Sequence, residues 1–175
     1  MRIPHTRRVV LGLGLGGALA GCGFRPIHSP VSEGGTGAEL AAVYVGILPD
    51  RPGQLFRQAM QERLSNESGT AQRYELRAIL AIGGEGIAIQ PGNIATRIRL
   101  TGNVAWSLIA WDPARTALTS GNARIMDGFN IFNNQYFAAD MENEQVQRRM
   151  VNGLADQVVT QLAIWFRAHP STQPG

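Results

Sequence analysis

The chain contains no lysine, so all 16 of its permanently cationic side chains are arginines. It also has a single cysteine, Cys22, and only three histidines. One cysteine cannot form a disulfide within the chain, and a structural zinc site usually needs four thiolate or imidazole ligands. The sequence therefore predicts a domain that is stabilised by packing alone, without a disulfide and without a metal ion.

The formal net charge of +3 comes entirely from the start of the chain. Arg2, Arg7 and Arg8 precede Cys22, and without them the arginines equal the 13 acidic residues in number. Nucleic-acid-binding proteins usually carry a basic surface, so a formally neutral domain predicts no nucleic-acid partner. Each arginine can still bind a phosphate or a carboxylate through two parallel hydrogen bonds.

Residues 1–21 have the organisation of an export signal, which we expect to be removed. A cationic start is followed by an apolar run, residues 9–20, that is too short to span a bilayer stably. The sequence Leu-Ala-Gly-Cys at residues 19–22 resembles a bacterial lipobox, which implies cleavage before Cys22 and a covalent lipid on its thiol. Gly23 then resembles the second residue of lipoproteins that are sent to an outer membrane. Cleavage as an ordinary secretory signal stays open, and so does the choice between the general and the twin-arginine export routes.

The rest of the chain divides into a tether and one domain. Residues 28–37 are rich in glycine, serine and proline and have no apolar period, which predicts a flexible segment. We predict a lipidated N-terminus and flexible tether over residues 22–40, a single folded domain over residues 41–168 and a tail over residues 169–175. Roughly 130 residues are enough to bury one hydrophobic core.

Hydrophobic periodicity predicts four strands and two helices. In chain order they are a strand over residues 41–48, a helix that is capped at Asp50 or Arg51 and closed by residues 66–69, strands over about 74–89, 94–108 and 116–129, and a long helix over 137–168. The glycine cluster at residues 83–86 predicts a bulge or bend, and Gln90-Pro91-Gly92-Asn93 predicts the turn of a hairpin. The order predicts an α+β fold, in which two helices pack on one face of a mostly antiparallel four-stranded sheet.

The strand over residues 94–108 shows the clearest alternation of apolar and polar residues. Arg97 and Arg99 share its polar face, and Arg124 on the next strand is a candidate to lie opposite them. The ordinary interpretation is a solvated sheet face. The sharper hypothesis is a strip that binds an anion, such as the phosphates of a lipid or an acidic partner surface. Trp106 is predicted to lie in the core, and Trp111, beside a turn, is predicted to be an exposed interface anchor.

Nothing in the sequence indicates catalysis. His28 and His169 fall outside the folded middle of the chain, so neither is suited to act as a general base for a serine or threonine. Asp140, Glu142 and Glu144 are predicted to be solvated residues of the first turns of the long helix, where acidic side chains suit the helix dipole. The prediction is a protein that is not an enzyme and that uses no cofactor.

The start of the mature chain, Cys22-Gly23-Phe24-Arg25-Pro26, resembles the LPS-assembly lipoprotein family LptE. The order of one strand, a helix, a strand meander and a long C-terminal helix resembles the layout of that family. The resemblance implies an outer-membrane lipoprotein of a Gram-negative bacterium, anchored by the lipid on Cys22 and facing the periplasm or the lumen of a barrel. It implies one-to-one assembly with the outer-membrane β-barrel LptD, which the lipoprotein plugs and helps to assemble, and contact with lipopolysaccharide. It also implies the absence of catalysis and of any cofactor other than the covalent lipid.

Two other classes of function are compatible with the same residues. The first is an auxiliary lipoprotein of a lipid-transport ABC system, which would associate with inner-membrane or periplasmic transporter components. The second is a lipid-anchored hydrolase, whose activity would be lost when a serine or a carboxylate is replaced. The neutral composition of the mature chain favours neither alternative.

Overall fold

The computed structural model describes residues 35–65, 71–90, 94–131 and 136–170. The predicted signal, Cys22 and His28 lie outside these residues. The elements are α1 (Thr36–Ala41), β1 (Val43–Val45), α2 (Asp50–Leu64), β2 (Tyr74–Gln90), β3 (Ile94–Ala110), β4 (Ala117–Asn130) and α3 (Tyr136–Ala168). The α+β fold class and the order of the six predicted elements are confirmed, with one additional short helix, α1.

The four strands form a single mixed sheet in the order β1-β2-β3-β4. β1 pairs parallel with the first three residues of β2, with Val43 opposite Tyr74. β2, β3 and β4 form the predicted antiparallel meander. β2 and β3 stay paired as far as Gln90 opposite Ile94, which confirms the hairpin, although its turn lies outside the described residues.

The core lies between one face of this sheet and the helices. The apolar side chains of β3 alternate as predicted, and Leu100, Val104, Trp106 and Leu108 are all buried. α3 packs closely on the sheet at Gly102, where a Cβ atom would lie 3.0 Å from the Met150 Cε atom. Because β3 buries one set of alternate residues against the helices, its other set must face away from the core.

Trp106 is a core residue, as predicted, and it links the sheet to α3. It is 5 % exposed, and its ring covers Gly121 on β4, where an added Cβ would come within 2.7 Å of the ring. The indole N–H donates a hydrogen bond to the Gln161 Oε1 atom of α3 at 3.0 Å. A buried indole needs such an acceptor, because an unpaired buried N–H group costs about 1–3 kcal/mol.

The two longer helices run in the same direction, and ion pairs join both ends of α2 to the middle part of α3. Arg51 in the first turn of α2 pairs with Glu144 of α3, and Arg63 in the last turn pairs with Asp156 at 2.6 Å. Hydrogen bonds from Arg148 and Arg51 hold the pKa of Glu144 below its usual value. Glu144 is therefore part of a helix-to-helix contact, which the sequence did not indicate. Exposed pairs of this kind contribute little to stability, because solvent screens them.

α1 shows that the folded unit begins earlier than residue 41, the predicted start of the domain. Residues 36–41 are helical and packed, with Glu39 and Leu40 each 5 % exposed. The Glu39 carboxylate accepts a hydrogen bond from the Tyr74 hydroxyl at 2.8 Å and pairs with Arg73 at 2.7 Å. These polar contacts compensate for the burial of the carboxylate and fix α1 to the start of β2.

Two other details of the strands differ from the predictions. β1 covers only Val43–Val45 instead of residues 41–48, because Ala41 already ends α1. The bulge lies at the end of the glycine cluster instead of within it, since Gly86 pairs with Ile98 and Ala88 with Arg97. Ile87 is the extra residue of this bulge and is 43 % exposed, so it does not join the core.

α3 is long, but within the described ranges no helix has both the length and the apolarity that are needed to cross a membrane.

The contact between Tyr74 and Glu39 predicts a specific loss of stability at alkaline pH. The pKa of Tyr74 is raised from 10.0 to about 12. The largest cause is burial, and the hydrogen bond to Glu39 and the charge of Glu39 add to it. The pKa of Tyr74 is higher in the folded state than in the unfolded state. The contribution of protonated Tyr74 to the free energy of unfolding is therefore complete below pH 10 and is lost as the pH rises through about 12. Tyr74→Phe should lower the free energy of unfolding by about 1–2 kcal/mol at neutral pH.

Chemical denaturation of both proteins between pH 7 and pH 12 measures this effect. The stability difference between wild type and Tyr74→Phe should be constant up to pH 10 and should shrink above it. A difference that stays the same up to pH 12 would show that this tyrosine is not stabilised in its protonated form.

Candidate functional site

The helices cover only one face of the sheet, and we call the opposite face, on β2, β3 and β4, the open face. Its largest side chains, by register and alternation, are Arg77, Ile79, Glu85, Arg97, Arg99, Asn103, Asn122, Arg124 and Met126. No described element packs on the open face along these strands. A Cβ atom built on Gly83, in the middle of β2, would meet no atom within 4 Å. As far as the described elements go, the open face is left uncovered.

The two predicted arginines of β3 lie together in a shallow hollow near the hairpin end of the open face. The hollow is lined by Ile87, Arg97, Arg99, Met126, Asp127 and Gly128. Arg99 forms an ion pair with Glu85 on the neighbouring strand at 2.5 Å. Asp127 pairs outside the hollow with Arg149 at 3.0 Å. Among the described residues Arg97 makes no ion pair, so its guanidinium group is available to an anion.

The hollow combines this cationic group with apolar surface. Met126 is 59 % exposed, and Ile87 lies beside it at the bulge. Large exposed apolar side chains next to a guanidinium group suit an amphipathic ligand that carries both phosphate and hydrocarbon. Neither Met126 nor Ile87 was recognised from the sequence as part of a site, because each is one apolar residue among several in a predicted strand.

Arg124 lies on the open face as predicted, but it does not lie beside the other two arginines. Its cross-strand partner is Asn103, whereas the partner of Arg99 is Gly128. A separation of four residues along a strand corresponds to about 13 Å. The three arginines therefore form a line along the open face and not one compact cluster.

The opposite end of the open face carries an aromatic and charged cluster around Trp111. The Trp111 ring meets Tyr44 edge to face at a centroid distance of 5.4 Å, and the Arg115 guanidinium lies 5.1 Å from the indole centroid. Arg115 and Arg77 both pair with Glu75. Trp111 is 46 % exposed, in the position expected of an interface anchor, but its role as an anchor stays a prediction.

The described residues provide no metal site. In this part of the chain no group of three or more His, Cys, Asp or Glu side chains is placed to hold an ion. His169 follows the end of α3, where its ring stacks on Trp165 at 4.7 Å. In the described part of the chain, the side chains whose chemistry best suits a functional site are the arginines of the open face. They can bind an anion, but they do not provide a general acid and a general base.

Solved structures show the same architecture in other bacterial proteins. A Caulobacter crescentus protein described as a lipoprotein aligns with a TM-score of 0.63 at 20 % identity, over 75 % of this chain and 96 % of its own. Rare lipoprotein B from Shewanella oneidensis aligns with a TM-score of 0.52 at 17 % identity, over 70 % of this chain and 92 % of its own. Lipoprotein B from Nitrosomonas europaea aligns with a TM-score of 0.54 at 12 % identity, over 73 % of this chain and 86 % of its own. At these identities the likeness defines a fold, an α+β domain shared with bacterial lipoproteins.

The sequence itself gives the more specific assignment. The lipopolysaccharide-assembly family LptE matches residues 40–162, which include β1, α2, the meander and most of α3. No curated protein sequence matches the chain significantly. The chain belongs to the LptE lipopolysaccharide-assembly family, and the resemblance drawn from its sequence is confirmed. Its family is one of non-enzymatic proteins, in keeping with the expectation for this chain.

Proposed function

We propose that this protein is an outer-membrane lipoprotein that plugs the β-barrel LptD one-to-one, helps it to assemble and contacts lipopolysaccharide during insertion into the outer membrane. The observation that carries this proposal is the combination of membership of the LptE family with an uncovered sheet face that ends in an arginine hollow. The lipid on Cys22 anchors the protein at the periplasmic surface of the membrane. The folded domain faces the barrel lumen.

In this proposal the anchor and the lipopolysaccharide contact lie at opposite ends of the sheet. The chain enters the domain through α1, at the end where the Ala42 carbonyl accepts hydrogen bonds from the Arg73 and Tyr74 N–H groups. The arginine hollow lies toward the other end, since Glu85 comes eleven residues after Tyr74 on β2. At roughly 3.3 Å per residue, this distance along the strand is about 36 Å. The anchored end and the end that carries the hollow are therefore well separated.

The chemistry of the hollow is compatible with the phosphate groups of lipopolysaccharide. Arg97 offers a planar fork that matches two phosphate oxygens, and Arg99 could exchange its pairing with the exposed Glu85 for a phosphate. The ion pair between Arg99 and Glu85 is half-exposed, so it contributes about 1 kcal/mol or less. A phosphate group can readily replace Glu85 as the partner of Arg99. Met126 and Ile87 supply apolar surface beside the arginines.

Replacing Arg97, Arg99 and Arg124 together by Gln should weaken binding to purified lipopolysaccharide, by at least about tenfold. The expected loss corresponds to about 1.4 kcal/mol, and each charge-assisted hydrogen bond contributes about 1.5–3 kcal/mol. Binding of the soluble domain without its lipid, measured by titration in low salt, tests this prediction.

The matched control carries the same change of charge on the helices, with Arg51, Arg148 and Arg167 replaced by Gln. This control should bind lipopolysaccharide like the wild type. The hypothesis for the open face is wrong if the first variant keeps its affinity, or if both variants lose affinity equally.

Cys22→Ala should leave the domain folded but release it from the membrane. Several acyl chains on one residue anchor a protein firmly, because each buried methylene contributes about 0.8 kcal/mol. Fractionation of cells that express wild type and Cys22→Ala, with circular dichroism of the purified variant, measures both parts. The lipid-anchor proposal would be contradicted if the variant stayed in the membrane fraction to the same extent.

A further inference from the structure

One edge of the sheet is left open beside α2. β1 pairs with β2 only opposite Tyr74–Leu76, and β2 then continues to Gln90. The last hydrogen bond between the two segments runs from the Gly46 N–H to the Leu76 carbonyl at 2.9 Å. Beyond it, the described residues include no strand on this side of β2. An uncovered edge of this kind is a template for a further strand.

The direction of the free backbone groups follows from the bonds that are present. The Tyr74 N–H and the Leu76 carbonyl both point toward β1, where they bond to Ala42 and Gly46. Because successive residues of a strand alternate in direction, the N–H and C=O groups of Ala78, Leu80 and Ile82 point the same way. The intervening residues bond to β3, with Ile79 opposite Ala105 and Ala81 opposite Asn103. Residues 78–82 therefore present a row of donors and acceptors spaced for a strand.

A shallow groove runs along this edge. One wall is β2 from Ala78 to Ile82, and the other is formed by Leu48, Pro49, Asp50, Pro52 and Gly53 at the start of α2. Within this wall Gly53 packs closely on Leu48, since a Cβ atom on Gly53 would lie only 2.8 Å from the Leu48 Cβ atom. Ile79, which lies on the same stretch of β2, is 76 % exposed. Asp50 is the only ionisable residue among those that line the groove, so an uncharged extended segment fits it best.

A second copy of this chain is a poor occupant of the groove. Two copies that met through this edge would each bring the segment Leu48–Gly53 toward the other. Paired strands lie about 4.8 Å apart, and Pro49 and Pro52 have no N–H group that could extend such a ladder. A single extended segment, which brings no second Leu48–Gly53 wall, therefore suits the groove better.

We infer that the edge of β2 at Ala78–Ile82 binds an extended segment of the β-barrel partner by strand addition. This inference rests on the proposed function, which supplies a partner that is itself built of strands. Backbone hydrogen bonds along the edge give the affinity, as in other complexes formed by β-augmentation. The apolar wall of the groove and Ile79 select an uncharged segment.

Hydrogen exchange resolved to single residues tests the inference, in the free protein and in the complex purified with its barrel partner. The Leu80 and Ile82 amides should exchange rapidly in the free protein and at least about tenfold more slowly in the complex. The Ile79 and Ala81 amides, which bond to β3, serve as internal controls and should be slow in both states.

Each outcome of the exchange measurement has a definite meaning. Failure to purify any barrel with this protein would contradict the proposed function. A stable complex in which Leu80 and Ile82 exchange as fast as in the free protein would overturn the strand-addition inference alone. Slow exchange of both amides in the free protein would overturn it too, because the edge would then already be covered.

A substitution provides an independent test that does not depend on exchange rates. Ala78→Pro removes an N–H group that points away from β3, and proline is tolerated in an edge strand at such a position. The free variant should keep the circular dichroism spectrum of the wild type, while the amount of barrel captured should fall at least about fivefold. Undiminished capture by a folded variant would overturn the inference.

Discussion

The structure depends on the strict alternation of apolar and polar residues along β3. Its even-numbered residues from Leu100 to Leu108 line the core against α2 and α3, and the register to β2 and β4 extends the same division across the sheet. A shift of one residue would bring Arg99 into the core and expose Trp106, so the alternation fixes both the packing and the pairing. The one-sided sheet follows directly from this pattern.

In the described part of the chain, no element covers the open face or the edge of β2 beyond Leu76. α1 and β1 are too short to extend along β2, and α2 and α3 are used on the core side. The described residues thus form a domain with a buried apolar core and a polar surface on one side of the sheet. The ion pair of Arg99 with Glu85 on this surface is exposed, so it can be exchanged for contacts with a ligand at low cost.

The elements that follow a strong local period could be predicted from the sequence. The stripe on α3 that includes Met150 and Leu154, and the alternation on β3, are of this kind, and both lie where expected. α1 was missed because Glu39 appears polar in a segment rich in glycine. The contacts from Arg73 and Tyr74, which are distant in sequence, help to make its burial favourable. The apolar run Leu40-Ala41-Ala42 was the one signal that could have shown packing at this point.

The candidate site could be predicted only in part, because it depends on register. Alternation alone placed Arg97, Arg99 and Arg124 on one face, but the distance between Arg124 and the other two follows from the pairing of Asn103 with Arg124. Similarly, the position of the bulge decides that Ile87 lies beside the arginines and not in the core. Such offsets of one or two residues arise from the pairing of whole strands, which no local pattern specifies.

The central proposal for this protein is that the domain acts inside a β-barrel of the outer membrane. The most direct measurement is to tag the C-terminus, extract membranes in a mild detergent, and identify and quantify the co-purifying proteins by mass spectrometry. The account predicts one large outer-membrane β-barrel protein in a ratio close to one-to-one. Recovery of inner-membrane transporter subunits, or of no partner, would contradict it.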